Sequence, residues 1–242
     1  MAKQRVDALL VSKGLCDSRE LAKRLIMAGE VMVGTERVSK PSQKVEEDAD
    51  LSVKERPKYV GRGGFKAEGA LRDFGIDPTG WVCADLGAST GGFTDCLLQH
   101  GAAKVFAIDV GTNQLVWKLR SDERVVSKER FNARNLTVDD IGERVKLVVM
   151  DLSFISLTKV LPAAFSILEE GGSVISLIKP QFELSREEVG KGGIVREPEL
   201  HQKAVDKIKE FITEELGREW IDLITSPITG TDGNVEFLAW MK

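Results

Sequence analysis

The stretch VCADLGASTGGFTDCLLQHG, residues 82–101, decides the fold of this chain. It begins as an apolar strand that reaches Asp85, continues as a glycine-rich turn, and is expected to become a helix near Gly92. Glycines at positions 87, 91 and 92 let the backbone approach a ligand closely, and the first N–H groups of the helix are free to bind it. The stretch therefore predicts a strand, loop and helix that hold a nucleoside-containing cofactor.

The choice of cofactor depends on two carboxylates. The next strand ends in Asp109, 22 residues after Gly87, where a carboxylate can accept hydrogen bonds from two ribose hydroxyls. A dinucleotide would fit this acid spacing, but the D-x-G-x-x-x-G-G pattern differs from G-x-G-x-x-G, and Asp85 would place a negative charge beside a pyrophosphate. S-adenosylmethionine has no phosphate, and its α-amino group is a partner for Asp85. The sequence favours this methyl donor, although a helix-capping role for Asp85 is compatible with either cofactor.

Apolar runs alternate with helical patterns after Trp81, which is typical of a parallel α/β sheet. The runs that predict buried strands are WVCADL, KVFAIDV, RVVS, VKLVVMDL and SVISLIK. The last two runs, EWIDLITSPI and NVEFLAWM, are joined by TGTDG without a helix, so they are expected to pair antiparallel. A mostly parallel, seven-stranded sheet that ends in an antiparallel hairpin is the order of class I (Rossmann-like) methyltransferases.

The composition excludes several classes of protein. The 242 residues include three cysteines at unrelated spacings, which match neither a disulfide framework nor a metal site. With two histidines and no G-x-S-x-G motif, a Ser-His-Asp hydrolase is disfavoured. The sequence contains neither a run of apolar residues long enough to span a membrane nor a signal peptide, and it predicts a cytoplasmic protein without a membrane partner or a metal.

The first 60 residues follow a different pattern, with two short helices and then short strands. They carry 12 Lys and Arg against 10 Asp and Glu, a net charge of +2, whereas the remainder has a net charge of −6. In SRELAKRLIMAGEV, Ser18 is a predicted N-cap and Gly29 a predicted helix end. Arg19, Lys23 and Arg24 lie away from the apolar face of this helix, where they could bind phosphates or simply be solvated.

This first piece resembles an S4 RNA-binding domain, a small α+β module. The resemblance covers RVDALLVSKGLCDSRELAKRLIMAGEVMVGTERVSKPSQKV, and its A-x-x-x-I-x-x-G-x-V-x-V cadence is formed by Ala22, Ile26, Gly29, Val31 and Val33. The resemblance implies that Arg5, Arg19, Lys23 and Arg24 face RNA. The segment KERPKYVGRGG has the composition of a linker. We therefore expect an S4-like domain with its linker over residues 1–60 and a methyltransferase domain over residues 61–242.

Four ionisable residues flank strands of the second domain: Lys66 in GRGGFKAEGAL, Asp151 after KLVVM, Lys179 after VISLI, and Glu236 in GNVEF. Singly, each has an ordinary interpretation, as a solvated helix charge, an N-cap, a surface cation or half of a salt bridge. Lys179 and Glu236, however, end or interrupt strongly apolar strands, where a charge needs a partner.

This set, together with DLGASTGGFTD, resembles the FtsJ type of ribose 2′-O-methyltransferase, and the S4-like piece in front makes the chain similar to the TlyA family. The resemblance implies that Lys66, Asp151, Lys179 and Glu236 are the catalytic tetrad and that the substrate is a cytidine ribose 2′-hydroxyl in ribosomal RNA. The partner is then ribosomal RNA or a ribosomal subunit. The residues predicted to bind the cofactor are Asp85, Gly87, Ala88, Ser89, Gly91, Gly92, Phe93, Asp109, Asn132 and Asp151, although Asn132 is equally suited to a turn.

The residue types fit this chemistry. A ribose hydroxyl is a poor nucleophile until its proton is removed, and an ordinary lysine is already protonated at neutral pH. Burial and a second cation both favour the neutral amine, whereas neighbouring carboxylates favour the ammonium. We expect Lys179 to be the base, with Lys66 as its electrostatic partner and with Asp151 and Glu236 orienting both lysines and the sugar.

Further RNA contacts are expected around the site. The segment PQFELSREEVGKGGIVREP, between Pro180 and Pro198, is predicted to be a mobile loop that holds RNA. The further phosphate-binding candidates are Arg62, Arg134, Lys191 and Arg196.

Two other functions are compatible with parts of the sequence. Relatives of this family often bear the name haemolysin, which suggests a membrane-damaging protein, but the sequence shows no membrane element. An RNA-binding protein with an inactive methyltransferase fold is the second alternative, and the presence of all four tetrad residues argues against it.

Overall fold

The computed structural model describes residues 3–54, 57–190 and 192–242. The chain divides into two compact units, Met1–Pro57 and Lys58–Lys242.

The N-terminal unit combines two helices with short strands. Its elements are β1 (Lys3–Arg5), α1 (Val6–Ser12), α2 (Arg19–Ala28), β2 (Val31–Val33), β3 (Glu36–Arg37), β4 (Lys44–Glu46) and β5 (Leu51–Val53). Strand β2 pairs antiparallel with both β3 and β5, and β1 pairs antiparallel with β4. These elements enclose a small apolar core of their own, so the unit has the α+β character expected of an S4-like domain.

Helix α2 begins and ends where the sequence predicts. The Ser18 side chain accepts a hydrogen bond from the Leu21 N–H and so satisfies one of the free amides of the first turn. Gly29 ends the helix in the left-handed conformation, with φ of 73°. Ala22 and Ile26 lie on the buried face, which confirms the predicted amphipathic helix.

A buried carboxylate lies at the start of α1. Asp7 is fully buried and accepts two hydrogen bonds from Arg5, from Nε at 3.0 Å and from Nη2 at 2.9 Å. Arg19, at the start of α2, adds a third from Nη2 at 3.0 Å. Arg5 and Arg19 are therefore tied to the protein itself, through a residue that the sequence analysis did not single out.

The C-terminal unit alternates strands and helices. Its elements are α3 (Gly63–Asp73), β6 (Val82–Leu86), α4 (Gly92–Gln99), β7 (Lys104–Ile108), α5 (Trp117–Arg120), β8 (Val125–Lys128), α6 (Val138–Ile141), β9 (Val145–Met150), α7 (Leu161–Ser166), β10 (Leu168–Ile178), α8 (Pro180–Glu183), α9 (Pro198–Glu210) with a π-helical turn at Phe211–Glu215, β11 (Trp220–Thr225) and β12 (Phe237–Met241).

Within the described residues, seven strands form one sheet in the order β11-β12-β10-β9-β6-β7-β8. The pairs from β10 to β8 are parallel, whereas β12 is antiparallel to both β10 and β11. This is the predicted class I methyltransferase fold, and it confirms the antiparallel pairing of the last two strands.

The sheet is buried on both faces, because alternate residues of its central strands enter different cores. In β9, Leu147 and Val149 belong to the core that includes α3 and α4, while Val148 and Met150 belong to the core that includes α7 and α9. This explains the continuous apolar runs in the sequence, since a strand covered on both faces has no side that favours polar residues.

The prediction of a mobile loop between Pro180 and Pro198 is wrong near both ends of this segment. Pro180–Glu183 forms the short helix α8, and Glu183 is buried, accepting hydrogen bonds from the Ser156 hydroxyl and the Leu157 N–H. Burial raises the pKa of this carboxyl above its usual range. Near the other end, Val195 is buried. The segment is thus anchored where it leaves α8 and again before α9.

Other sequence expectations can be placed on the structure. Cys16, Cys83 and Cys96 are buried free thiols. Over residues 3–54, 57–190 and 192–242, no helix has the length and apolar character needed to cross a membrane. In the same ranges no cluster of His, Cys, Asp or Glu is arranged to hold a metal ion.

We predict that the N-terminal unit loses stability in acid through Asp7. Its pKa is lowered to about 2, chiefly by the hydrogen bond from Arg5. Because the folded pKa lies below the ordinary value of about 4, the stabilisation is complete above that pH and is lost as the pH falls through about 2. Hydrogen exchange over residues 3–54 as a function of pH measures the effect. Asp7→Asn should remove about 1.5–3 kcal/mol at neutral pH and flatten the acid dependence; an unchanged profile in this variant would contradict the assignment.

Candidate active site

The four flanking ionisable residues meet at one edge of the sheet for a topological reason. Asp151 follows β9 and Lys179 follows β10, and the carboxyl ends of parallel strands lie at the same edge. Glu236 precedes β12, which runs the opposite way, so its amino end lies at that edge too. Lys66 reaches the group from α3.

The distances show that these side chains form one cluster. The Lys66 Nζ lies 2.5 Å from Glu236 Oε2 and 3.8 Å from Asp151 Oδ2. The Lys179 Nζ lies 2.6 Å from Asp151 Oδ1 and donates a hydrogen bond of 3.0 Å to the Ser153 hydroxyl. Asp151 is therefore shared between the two lysines.

The cluster is too enclosed for solvated surface charges. The exposed fractions of the side chains are 9% for Lys66, 10% for Lys179, 3% for Glu236 and 20% for Asp151. Burial of a charge costs several kcal/mol unless it is paired, and here each ammonium lies beside a carboxylate. The solvated-charge interpretations of Lys66 and Lys179 are therefore wrong, whereas Glu236 does form an ion pair.

The cluster opens into a cavity of about 620 Å³. The cavity is lined by the four clustered residues and by Arg62, Asp85, Ser89, Phe154, Gln181 and Asn234, among others. A second cavity of about 430 Å³ is lined by Asp109, Asn132 and Arg134, and both cavities share Gly87, Ser89, Asp151, Ser153 and Phe154. Two adjoining spaces thus meet at Asp151, with the glycine loop lining both.

Asp85 has one engaged and one open carboxylate oxygen. Oδ2 accepts hydrogen bonds from the N–H and the hydroxyl of Thr94, at 3.0 and 2.7 Å, so it does cap helix α4. Oδ1 is buried and has no hydrogen-bond partner among the described residues. The pKa of Asp85 is raised to about 7, chiefly by burial and to a smaller extent by the nearby Asp151, against the opposing hydrogen bonds from Thr94. A buried acceptor without a partner, in a cavity wall, is suited to a cationic ligand group.

Asp109 and Asn132 also contact backbone groups. Asp109 accepts hydrogen bonds from the N–H groups of Ser89 and Gly111 at 2.8 and 2.7 Å, and a carboxylate retains further lone pairs for a ligand. Asn132 Oδ1 accepts from the Arg134 N–H, which is the turn-forming role that the sequence left open. Both side chains line the second cavity.

Gly87 shows why the turn needs glycine. Its φ is 88°, and a Cβ at this position would lie 2.7 Å from the main-chain oxygen of Asp151. The glycine loop and the residue after β9 therefore pack backbone against backbone, so any side chain at position 87 would displace Asp151.

An aromatic pair lies at the first cavity, and one of its two rings is exposed. The Phe154 side chain is 91% exposed, although its φ of 64° is uncommon for a residue other than glycine. Its ring centroid lies 5.2 Å from that of Phe182. This pair was not predicted from the sequence. Its one signal there is Phe154 in MDLSFISL, an aromatic residue four positions after β9 ends at Met150.

Asn234 fastens the chain on one side of the cavity. Its Oδ1 accepts a hydrogen bond from the Val195 N–H and its Nδ2 donates one to the Gly193 carbonyl, both at 2.9 Å. Asn234 is buried and lies two residues before Glu236. The segment that leads into β12 is thereby joined to residues 193–195. The GNVEF motif contains Asn234 but does not by itself indicate these contacts.

The predicted RNA-contacting residues lie in different settings. Arg62 is exposed at the first cavity and donates a hydrogen bond of 2.9 Å to the Thr229 carbonyl. Arg24, Arg134 and Arg196 are exposed, and Lys23 forms an ion pair with Glu20. Lys191 lies outside the described residues.

Comparison with known proteins follows the same division of the chain. The family model of FtsJ-like methyltransferases matches residues 59–242, and that of the S4 domain matches residues 4–51.

Individual relatives match almost the whole chain. The 16S/23S rRNA (cytidine-2′-O)-methyltransferase TlyA of Mycobacterium tuberculosis is 46% identical over 99% of this chain and 90% of its own length. Hemolysin A of Brachyspira hyodysenteriae is 44% identical over 97% of this chain and 98% of its own length. A solved structure described as a hemolysin from Streptococcus thermophilus is 47% identical, with a TM-score of 0.74, and the match covers 100% of this chain and 88% of that one.

We predict that Asn234→Ala frees residues 193–195. Loss of the acceptor for the Val195 N–H should speed exchange of that amide by about 10-fold, in line with the net worth of one or two hydrogen bonds. Asn234→Asp keeps the acceptor and loses the donor, so we expect a smaller increase. Hydrogen exchange with peptide-level mass spectrometry measures both, and Asn132→Ala is the control that should leave Val195 unchanged. Wild-type protection in Asn234→Ala would refute the fastening role.

Proposed function

Because the chain belongs to the FtsJ-like methyltransferase family, we propose that it transfers a methyl group from S-adenosylmethionine to the 2′-hydroxyl of a cytidine ribose in ribosomal RNA. The observation that carries the proposal is the buried cluster of two lysines and two carboxylates in a cavity at the carboxyl edge of the sheet. The relative from Mycobacterium tuberculosis, named for this reaction, supports the choice of substrate.

The residues of the two cavities fit S-adenosylmethionine. The open Oδ1 of Asp85 is a buried acceptor for the α-amino group, and Asp109 in the second cavity is an acceptor for ribose hydroxyls. Asp85 and Asp109 each place a carboxylate in the wall of one cavity, and their negative charges favour a ligand without phosphates. The residues that would hold it are Asp85, Gly87, Ala88, Ser89, Gly91, Gly92, Phe93, Asp109, Asn132 and Asp151.

The cluster then acts on the ribose. When bound, S-adenosylmethionine supplies an electrophilic methyl group on a sulfonium. Lys179, as a neutral amine, accepts the proton of the 2′-hydroxyl, so that the ribose oxygen becomes a better nucleophile. Asp151 and Ser153 hold the Lys179 Nζ in place from two directions.

Lys66 and Glu236 set the electrostatic environment of Lys179 and of the ribose oxygen. Glu236 holds Lys66 at 2.5 Å, so that the Lys66 ammonium lies near Asp151 without occupying the same oxygen as Lys179. The positive charge of Lys66 opposes an ammonium at Lys179 and stabilises negative charge that develops on the ribose oxygen. The burial of the four side chains strengthens both effects because it limits access of water.

RNA contacts are assigned on the same basis. Five basic residues are proposed to bind phosphates of the RNA. They are Arg62 at the first cavity, the exposed Arg134 and Arg196, and Lys23 and Arg24 in the N-terminal unit. The exposed ring of Phe154 offers a surface on which a base can stack.

The test is Lys179→Ala, assayed by transfer of labelled methyl groups to ribosomal subunits from cells that lack the protein. Loss of the base should slow transfer by about 10²–10⁴-fold, while calorimetry shows unchanged affinity for S-adenosylmethionine. Lys159→Ala is the control, since Lys159 is exposed and lines neither cavity. Nucleoside mass spectrometry should identify 2′-O-methylcytidine. Full activity of Lys179→Ala with intact cofactor binding would overturn the assignment.

A second prediction concerns pH. An ammonium group binds the ionised form of Asp85, whose pKa burial raises to about 7. Affinity for S-adenosylmethionine should therefore be full above this pH and decrease toward about tenfold per unit below it.

Calorimetry between about pH 5.5 and 7.5 measures this dependence, because the α-amino group of the ligand, with an ordinary pKa of about 8, stays largely protonated there. Asp85→Asn should bind more weakly at high pH and show a flat profile, whereas Asp77→Asn, a change at an exposed residue outside both cavities, should keep the wild-type profile. A wild-type affinity that does not vary with pH would exclude Asp85 as the partner of the amino group.

A further inference from the structure

A buried carboxylate in the N-terminal unit has an arrangement that ordinary stability does not require. Asp7 is fully buried, and isolated burial of its charge would cost several kcal/mol. An apolar residue at position 7 would avoid this cost, because Arg5 and Arg19 could then extend into solvent. The acid is accommodated by three hydrogen bonds that all come from guanidinium groups.

The geometry leaves both guanidinium groups available to a ligand. Arg5 uses Nε and one Nη2 hydrogen, and Arg19 uses one Nη2 hydrogen, out of five N–H donors on each group. The Arg5 and Arg19 side chains remain 44% and 54% exposed. Two cations share one anion, so the group keeps a net charge of +1 at the surface.

Both arginines are held on the same carboxylate oxygen. Asp7 Oδ2 accepts from Nη2 of Arg5 at 2.9 Å and from Nη2 of Arg19 at 3.0 Å, which brings the two planar groups together although they belong to different elements. Without this anion the two cations would repel each other and sample many rotamers. Guanidinium groups fixed side by side match the oxygens of a phosphate, which each can bind through two parallel N–H groups.

We propose that Asp7 is a positioning residue that holds Arg5 and Arg19 as a preformed site for a phosphate of the RNA backbone. This inference rests on the proposed function, since that function supplies RNA as the ligand. It assigns the acid an indirect role: Asp7 does not touch RNA, and it reduces the conformational entropy that the arginines lose on binding. Lys23 follows Arg19 by one helical turn in α2 and lies on the same side of that helix, which extends the basic surface.

The proposal predicts that removing the negative charge of Asp7 weakens binding to RNA. Asp7→Asn raises the net charge of the unit by one, and simple electrostatic attraction would then tighten binding to RNA. If Asp7 positions the arginines, binding instead weakens, by about 10-fold, and the slope of log affinity against log salt falls by about one because a phosphate contact is lost.

Glu20→Gln is the matched control. Glu20 lies beside Arg19 at the start of α2, its side chain is 80% exposed, and it pairs with Lys23. Its removal raises the charge by the same amount without touching the Asp7 group, so this variant should bind RNA as tightly as wild type or more tightly.

The experiment measures binding of the full-length protein to ribosomal subunits from cells that lack it, at several salt concentrations. Binding is measured at a temperature where hydrogen exchange shows that residues 3–54 of Asp7→Asn are still folded. Weaker binding of this variant, with Glu20→Gln not weakened, supports the proposal; unchanged or tighter binding overturns it. If Asp7→Asn fails to fold, Arg5→Lys decides. It keeps the charge and leaves Asp7 paired with Arg19, so weaker binding supports the site and wild-type binding refutes it.

Failure of the proposed function has a separate readout. Methyl transfer by the wild-type protein is measured on the same subunits, and Lys179→Ala should bind them normally. Subunits that are bound but never methylated would contradict the methyltransferase assignment and leave the result for Asp7 standing.

Discussion

The sharing of Asp151 between two lysines is the interaction on which the site depends. Lys66 lies in a helix and Lys179 follows a strand that is far from it in sequence, and a single carboxylate brings the two Nζ atoms together. Two buried cations brought together would repel each other strongly. The architecture around Asp151 follows from this requirement: parallel strands deliver Asp151 and Lys179 to one edge, and the antiparallel β12 delivers Glu236 to the same edge as the counter-charge of Lys66.

The same edge also joins the two cavities. Gly87 approaches the main chain of Asp151 so closely that the glycine loop and the charged cluster form one continuous wall. A methyl donor and its acceptor must meet in line, and a wall with this little freedom fixes their relative positions. Under the proposed function, the close packing of this turn against Asp151 would help to hold donor and acceptor in that arrangement.

Much of this was predictable because it lies in local patterns. The strand alternation, the glycine turn, the Ser18 cap and the final hairpin each depend on a few neighbouring residues, and all are present in the structure. The contacts of Asp7 with Arg19 and of Asn234 with Val195 join residues distant in sequence, and no spacing rule indicates them. The expectation of a mobile loop after Lys179 was wrong at its ends for the same reason, since Glu183 is buried through hydrogen bonds to residues before α7.

The backbone conformation of Phe154 favours glycine, whereas its side chain is a large exposed ring. Its backbone conformation is one that glycine adopts freely, and a non-glycine residue there costs about 1 kcal/mol. The ring recovers little of this inside the fold, because it is almost wholly in solvent. A glycine would thus suit this backbone better, and the ring of Phe154 is left free to contact a molecule that is not part of the folded chain.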